Sequence, residues 1–179
     1  LEQAAAVGAE FAIAGPPPGT ADRDLGARHY AELLELGKQY GVKPAFEYLG
    51  FVEDINTIDD AIDIIQRSGH PDATIVVDPF HCFRGGGPVA SIGKLQGRQI
   101  AISHFNDATD ARPAHMQEDP DRVFPGDGAL DLRFYCDQLT AIGYDRFLSL
   151  ELFRKDLWAA DPLLVARMGL QKMKAVVDG

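Results

Sequence analysis

Four short apolar runs in this chain each end on a residue that can hold a metal ion, and this constrains the fold more than any other feature. They are Pro44-Ala45-Phe46-Glu47, Thr74-Ile75-Val76-Val77-Asp78, Ile100-Ala101-Ile102-Ser103-His104 and Phe147-Leu148-Ser149-Leu150-Glu151. Each reads as a buried strand, and helix-like sequence lies between them. Buried strands alternating with helices predict a parallel sheet covered by helices on its outer face. In an α/β barrel the C-terminal ends of such strands line one pocket. Glu47, Asp78, His104 and Glu151 would then converge. Three carboxylates and one imidazole suit one divalent cation of intermediate hardness, Mn²⁺, Co²⁺, Mg²⁺ or Zn²⁺.

The intervening sequence supports this organisation. Residues 1–7 read as the tail of a helix stopped by Gly8, and Glu10–Ala14 as a short strand broken by Gly15-Pro16-Pro17-Pro18-Gly19. Leu25, Tyr30, Leu33, Leu34 and Leu36 recur near a 3.6 period, so 22–40 is expected as a helix ended by Gly41. Thr57 should cap a helix to about Arg67, with Ile58, Ala61, Ile62 and Ile65 on its buried face. Residues 84–88 read as a flexible glycine loop and 89–95 as a short helix. Helices are also expected over 131–142 and about 161–177. The polar stretch 106–129 exceeds the usual loop length, which points to a functional or mobile segment. The result is five βα units in one domain, 1–179. That is too few to close an eight-stranded barrel, so three strands are expected to precede Leu1.

At 179 residues and 46% hydrophobic content, one domain has enough material for a core. The formal net charge of −10 is a poor match for nucleic acid or anionic lipid, so neither is expected as a partner. No apolar run approaches the roughly 20 residues of a membrane span. Cys82 and Cys136 make no disulfide framework, and a cytoplasmic setting is the expectation.

Each candidate has a structural alternative. Glu47 and Glu151 could be strand-end charges meeting solvent or ion-paired. Asp78 could simply turn the chain before Pro79, His81 could be a loop histidine, and His104 a core histidine bonded to a carbonyl. Arg122 could be a surface residue beside the Phe124-Pro125-Gly126-Asp127-Gly128 turn, or a clamp on a substrate oxygen. Convergence on strand ends favours the functional reading, and two glutamates could serve the two faces of one reacting carbon. Gly85-Gly86-Gly87 lacks P-loop spacing and a following Lys-Ser/Thr.

Together, Phe46-Glu47, Val77-Asp78-Pro79-Phe80-His81, Ser103-His104-Phe105-Asn106-Asp107, Phe124-Pro125-Gly126-Asp127-Gly128 and Ser149-Leu150-Glu151-Leu152-Phe153 resemble the xylose isomerase-like TIM barrels, in particular the sugar phosphate isomerase/epimerase branch. The resemblance covers essentially the whole chain and corresponds to the last five βα units of a (β/α)8 TIM barrel. It implies that Glu47, Asp78, His104 and Glu151 bind the metal, that Glu47 and Glu151 are catalytic, and that His81 and Arg122 bind substrate. The stretch between His104 and Arg122 is longer here than in those barrels. The implied activity is isomerisation or epimerisation of a small keto sugar or keto polyol through an enediolate. Related barrels also include dehydratases of keto-inositols or dehydroshikimate. Abasic-site endonucleases share the barrel too, but where they carry an Asp-x-His this chain has Pro120-Asp121-Arg122. A barrel that binds sugar without catalysis is a last alternative, disfavoured by the intact glutamate pair. Homo-oligomerisation is compatible with all of these.

Overall fold

Each predicted strand–helix alternation is present in the computed structural model, which describes residues 1–179. A short helix α1 (Glu2–Ala6) leads into β1 (Phe11–Ala14), α2 (Arg23–Tyr40), β2 (Lys43–Glu47), α3 (Ile58–Ser68), β3 (Ile75–Val77) and α4 (Pro79–Gly85). Next come β4 (Ile100–Phe105), β5 (Asp107–Ala108), β6 (Arg122–Val123), α5 (Leu132–Ala141), β7 (Leu148–Leu150), α6 (Lys155–Ala159) and α7 (Pro162–Asp178). Five strands form one parallel sheet in the order β1-β2-β3-β4-β7, curled as a half-barrel, and β5 and β6 form a separate antiparallel ribbon.

The helix boundaries follow their caps. Asp22 accepts from the Leu25 amide and starts α2; Gly41, in the left-handed region at φ 66°, ends it. Thr57 and Asp60 make a reciprocal capping box at α3, and Gly69 at φ 61° closes that helix. The buried stripe of α2 is Ala27, Tyr30, Leu34 and Gly37, at i, i+3, i+7 and i+10. Leu25 and Leu36, expected on this face, are 39% and 42% exposed. Packing against α3 and β2 selects the stripe through the small residues, which allow close approach.

Two segments differ from expectation. The predicted glycine loop is shorter, because Pro79–Gly85 is helix α4, started by the Asp78 side chain and by proline at its first turn. Residues 89–94 form a 3₁₀ helix. The long segment 106–129 contains the β5–β6 ribbon and two 3₁₀ turns, with Asp107, Gln117 and Arg122 buried, so it is a built element.

The main core lies between the sheet and the helices and holds 21 buried residues, among them Phe46, Ile75, Val77, Ile100 and Phe105 from the strands. On the concave side only Ala45, Val76 and Ala101 make a buried apolar cluster. That side also carries Glu47, Asp78, His104 and Glu151. No helix is long and apolar enough to cross a membrane.

β1 and β7 each have one unpaired edge. Ile13 beside one edge is 53% exposed, Phe147 beside the other 81%, and Leu163 and Leu164 on α7 are 68% and 56% exposed. Open parallel edges and apolar patches of this kind drive association. Residues 1–179 expressed alone should therefore self-associate. Light scattering across a dilution series would detect it, and a monomer with a cooperative melt would contradict it.

Candidate metal and acid–base site

Strand register explains why four distant residues meet. Glu47 pairs with Val76, and Asp78 lies two residues beyond Val76, on the same face. Val76 pairs with Ile102, and His104 lies two beyond it. His104 pairs with Ser149, and Glu151 lies two beyond that. All four side chains therefore project to the concave side, climbing with the stagger of a barrel. One donor atom from each lies within 4.8 Å of every other.

His104 Nδ1 is the centre of the group. It lies 3.0 Å from Glu47 Oε1, 3.2 Å from Glu151 Oε2 and 3.6 Å from Asp78 Oδ2. Burial alone would pull this imidazole down, but the Asp78, Glu151 and Glu47 carboxylates outweigh it and hold its pKa at about 12. Such a cluster calls for a positive charge. Glu47 Oε1 and His104 Nδ1 are both buried without a well-formed hydrogen bond. Buried donors and acceptors are seldom left so, and these two atoms are the kind a divalent cation would satisfy. The residues present thus fit the implied metal.

The two oxygens of Asp78 face different partners. Its Oδ1 accepts from the Phe80 amide at 2.7 Å, the His81 amide at 3.4 Å and Asn106 Nδ2 at 3.1 Å. Its Oδ2 faces the cluster, 2.5 Å from Arg122 Nη1. Burial opposes its ionisation, but Arg122 and the neighbouring imidazoles hold it well below the usual carboxylate range. The turn before Pro79 is thus made by Oδ1 alone, which leaves Oδ2 among the side chains of the cluster.

Arg122 is 1% exposed, which removes the surface reading. Its Nη1 pairs with Asp78 and, at 2.9 Å, with Glu151. Its Nε and Nη2 donate to Asp119 Oδ1 at 3.2 and 3.0 Å. The guanidinium stacks over Phe80 at 4.6 Å and Phe153 at 5.4 Å. Of five guanidinium N–H groups, the remaining one is on Nη2, which lies 3.2 Å from His81 Nε2.

His81 lies in α4, not in a loop, and is 2% exposed. Burial lowers its pKa, so the ring is neutral at pH 7. The Gly50 amide donates to its Nδ1 at 3.1 Å, which places the ring proton on Nε2. Nε2–H and the Arg122 N–H are then two donors facing one spot with no acceptor between them. Outside this group, Cys82 and Cys136 are both free. Burial pushes the Cys82 thiol up to about 12, and it has no role in the cluster.

Asn106 and Asp119 received no role from the sequence. Asn106 is fully buried and donates to both Asp78 oxygens. Its position two residues after His104 puts it on the same face, and that alternation is the signal that could have found it. Asp119 lies three residues before Arg122 in an irregular segment, where no periodicity marks it.

A parallel half-barrel with an acidic cluster and one histidine at the C-terminal ends of its strands defines a barrel built around a metal-type centre. More narrowly, the chain belongs to the xylose isomerase-like TIM barrel family, whose model matches residues 1–176. Inosose isomerase from Bacillus velezensis is 33% identical over 148 residues, 82% of this chain and 52% of that protein. A 3-dehydroshikimate dehydratase from Pseudomonas aeruginosa is 28% identical over 143 residues, 79% of this chain and 23% of that one. The crystal structure of the IOLI protein with a binding zinc atom superposes with a TM-score of 0.90 at 27% identity, covering 98% of this chain and 66% of that one. L-ribulose 3-epimerase superposes at 0.75 and 21% identity, covering 98% and 63%, a likeness of fold alone. The chain spans about half the length of the inosose isomerases it matches.

Proposed function

We propose that this chain carries the metal-binding and proton-transfer residues of an isomerase acting on a small keto sugar or keto polyol, with an inosose, a cyclic keto polyol, as the first candidate. The observation that carries the reading is the convergence of Glu47, Asp78, His104 and Glu151 within 4.8 Å, a glutamate at each side of the group. A divalent ion held there would act as a Lewis acid on a substrate carbonyl and acidify the neighbouring C–H. Glu47 and Glu151 come from strands separated by β3 and β4 and flank His104 Nδ1 at 3.0 and 3.2 Å. Placed on two sides of a bound carbon, one carboxylate takes the α-proton as the C–H electron pair moves toward the carbonyl. The other carboxylate returns a proton. Return at the former carbonyl carbon, with the hydroxyl proton of the first carbon passing to the other oxygen as the new carbonyl forms, isomerises; return to the opposite face of the same carbon epimerises. His81 Nε2–H and the free Arg122 N–H form a two-donor grip for one substrate oxygen, so each of the six residues has a task.

A dehydratase is the second reading, favoured by the similarity to 3-dehydroshikimate dehydratase. Loss of a β-hydroxyl after the same deprotonation would give it. The net charge of −10 and the missing histidine at Pro120-Asp121-Arg122 weigh against a nuclease.

The test is a panel of inososes, ketoses and dehydroshikimate in deuterated water, followed by NMR with Mn²⁺, Co²⁺, Mg²⁺ or Zn²⁺ added to chelator-treated protein. Metal-dependent exchange of the α-proton with a new ketone or epimer supports the isomerase. An enone signal would move the assignment to the dehydratase. Turnover without exchange and without transfer of label between carbons would end the proton-transfer reading.

A further inference from the structure

Asp107 is a buried carboxylate that none of the preceding chemistry uses. It is 1% exposed, and the groups that bind it are all backbone amides. Its Oδ2 accepts from Gly126 at 3.0 Å and Gly128 at 3.1 Å, and its Oδ1 from Leu130 at 3.0 Å and its neighbour Ala108 at 2.9 Å. Burying a charge is costly unless it is well compensated, and amides aimed at one carboxylate are a strong form of compensation. The amides come from a turn that fits closely around it. A Cβ at Gly128 would collide with the Ala108 carbonyl and the Asp107 carboxylate.

That turn begins where β6 ends. Asp107 itself opposes Val123 in the β5–β6 ribbon, and Ala108 opposes Arg122. The Ala129 amide returns to the Ala108 carbonyl at 3.0 Å. One side chain thus fastens the segment downstream of Arg122, while the ribbon fastens Arg122 itself. From that backbone the guanidinium reaches Asp78, Glu151, Asp119 and His81.

We infer that Asp107 is the positioning residue for Arg122: its carboxylate gathers the 126–130 amides, sets the course of β6, and so fixes where the guanidinium meets the substrate and the carboxylates of Asp78 and Glu151. Asp107 touches no reacting atom and acts only through the arginine. This rests on the proposed role of Arg122 as a substrate grip.

The test compares Asp107→Asn, Arg122→Ala and the double variant in the intact protein. Asparagine keeps the shape but turns an NH₂ group toward amide donors, so bonds to two of the four amides are lost. Losing charge-assisted bonds of this kind should raise KM by about tenfold or more. Turnover should change far less, the signature of lost binding rather than lost chemistry. In the Arg122→Ala background the same change should add nothing to KM, because the residue it acts through is gone. Gly128→Ala, which crowds the same carboxylate from the turn side, should reproduce the Asp107→Asn profile. Unchanged KM in both variants, a loss confined to kcat, or full additivity in the double variant would overturn the inference. If no panel substrate is turned over, the proposed function fails separately. The exchange rate of the Arg122 side-chain Nε–H by NMR then decides: acceleration in a folded Asp107→Asn protein supports positioning, and an unchanged rate overturns it.

Discussion

Replacing either Glu47 or Glu151 by Gln should lower turnover by about 10²–10⁴-fold, the usual contribution of a positioned general acid or base, in a protein that still folds. The amide keeps the volume and one acceptor oxygen but cannot take up or release a proton at neutral pH. The two variants should differ in what they retain. Each glutamate stands on its own side of His104 Nδ1, at 3.0 Å for Glu47 and 3.2 Å for Glu151. With metal supplied in excess of the weakened affinity, loss of one should leave the other able to exchange the substrate proton at its own position. Each variant should therefore be slow in net conversion yet keep exchange from one substrate epimer or isomer only. Glu151 also holds Arg122 Nη1 at 2.9 Å, so Glu151→Gln should raise KM as well, whereas Glu47→Gln should not. Deuterium exchange on each substrate, measured beside steady-state kinetics, reads both effects. Full conversion by either variant would reduce that glutamate to a ligand.

The half-barrel and the meeting of Glu47, Asp78, His104 and Glu151 on one side of it were legible largely from local pattern. Buried parallel strands must be short and apolar, and a charge at the end of such a run stands out against it. Register then does the assembly, but not by a period of two alone: Ile75 pairs with Ile100 and Val76 with Ile102, and this irregularity beside Ala101, which sequence pattern does not reveal, brings His104 to the face of Asp78. Helix ends were legible for a similar reason, since Asp22, Thr57, Gly41 and Gly69 act on the backbone within a turn of their own position. What was not legible depends on contacts across long sequence distances. Arg122 is buried because Asp78, 44 residues away, and Glu151, 29 residues away, hold it. The residues just before it, Glu118-Asp119-Pro120-Asp121, suggest surface. Asp107 looks like one more acidic residue in a loop, because its partners are amides, which leave no trace in side-chain pattern. Helix α4 is hidden for another reason: Gly85-Gly86-Gly87 suggests a loop, and its starting signal, Asp78 followed by Pro79, fits a turn or a ligand position equally well.

The second large effect concerns the cost of holding this cluster together. Without a metal ion, three carboxylates share one small volume, and their compensation is uneven. Asp78 and Glu151 both face Arg122 Nη1, at 2.5 and 2.9 Å. Glu47 has no guanidinium, and its buried Oε1 faces only His104. The cluster holds more carboxylates than cations, so removing one relieves desolvation and repulsion, while the His104 ring keeps Glu151 and Asp78 as partners. Glu47→Gln should therefore leave the chelator-treated protein as stable as the parent or more so, by about 1 kcal/mol, within the range of ordinary point changes. The metal-loaded state should respond in the opposite direction. Parent protein at 100 times its metal Kd gains about 2.7 kcal/mol of stability from the ion, and the variant should lose most of that gain because a ligand is gone. His104→Ala should lose it too. Its metal affinity should fall beyond the 10–100-fold typical of losing an outer partner of a metal ligand. Unlike Glu47→Gln, however, it should destabilise the chelated protein, since it removes the one group placed among all three carboxylates. Denaturant unfolding of the three proteins, each with and without chelator, separates these cases. If Glu47→Gln lowers stability equally in both conditions, Glu47 is a structural acid and the centre must be built without it. If it lowers only the loaded state, the protein is paying folding stability for a charge that only a bound cation makes worthwhile, and such a sacrifice is the mark of a functional site.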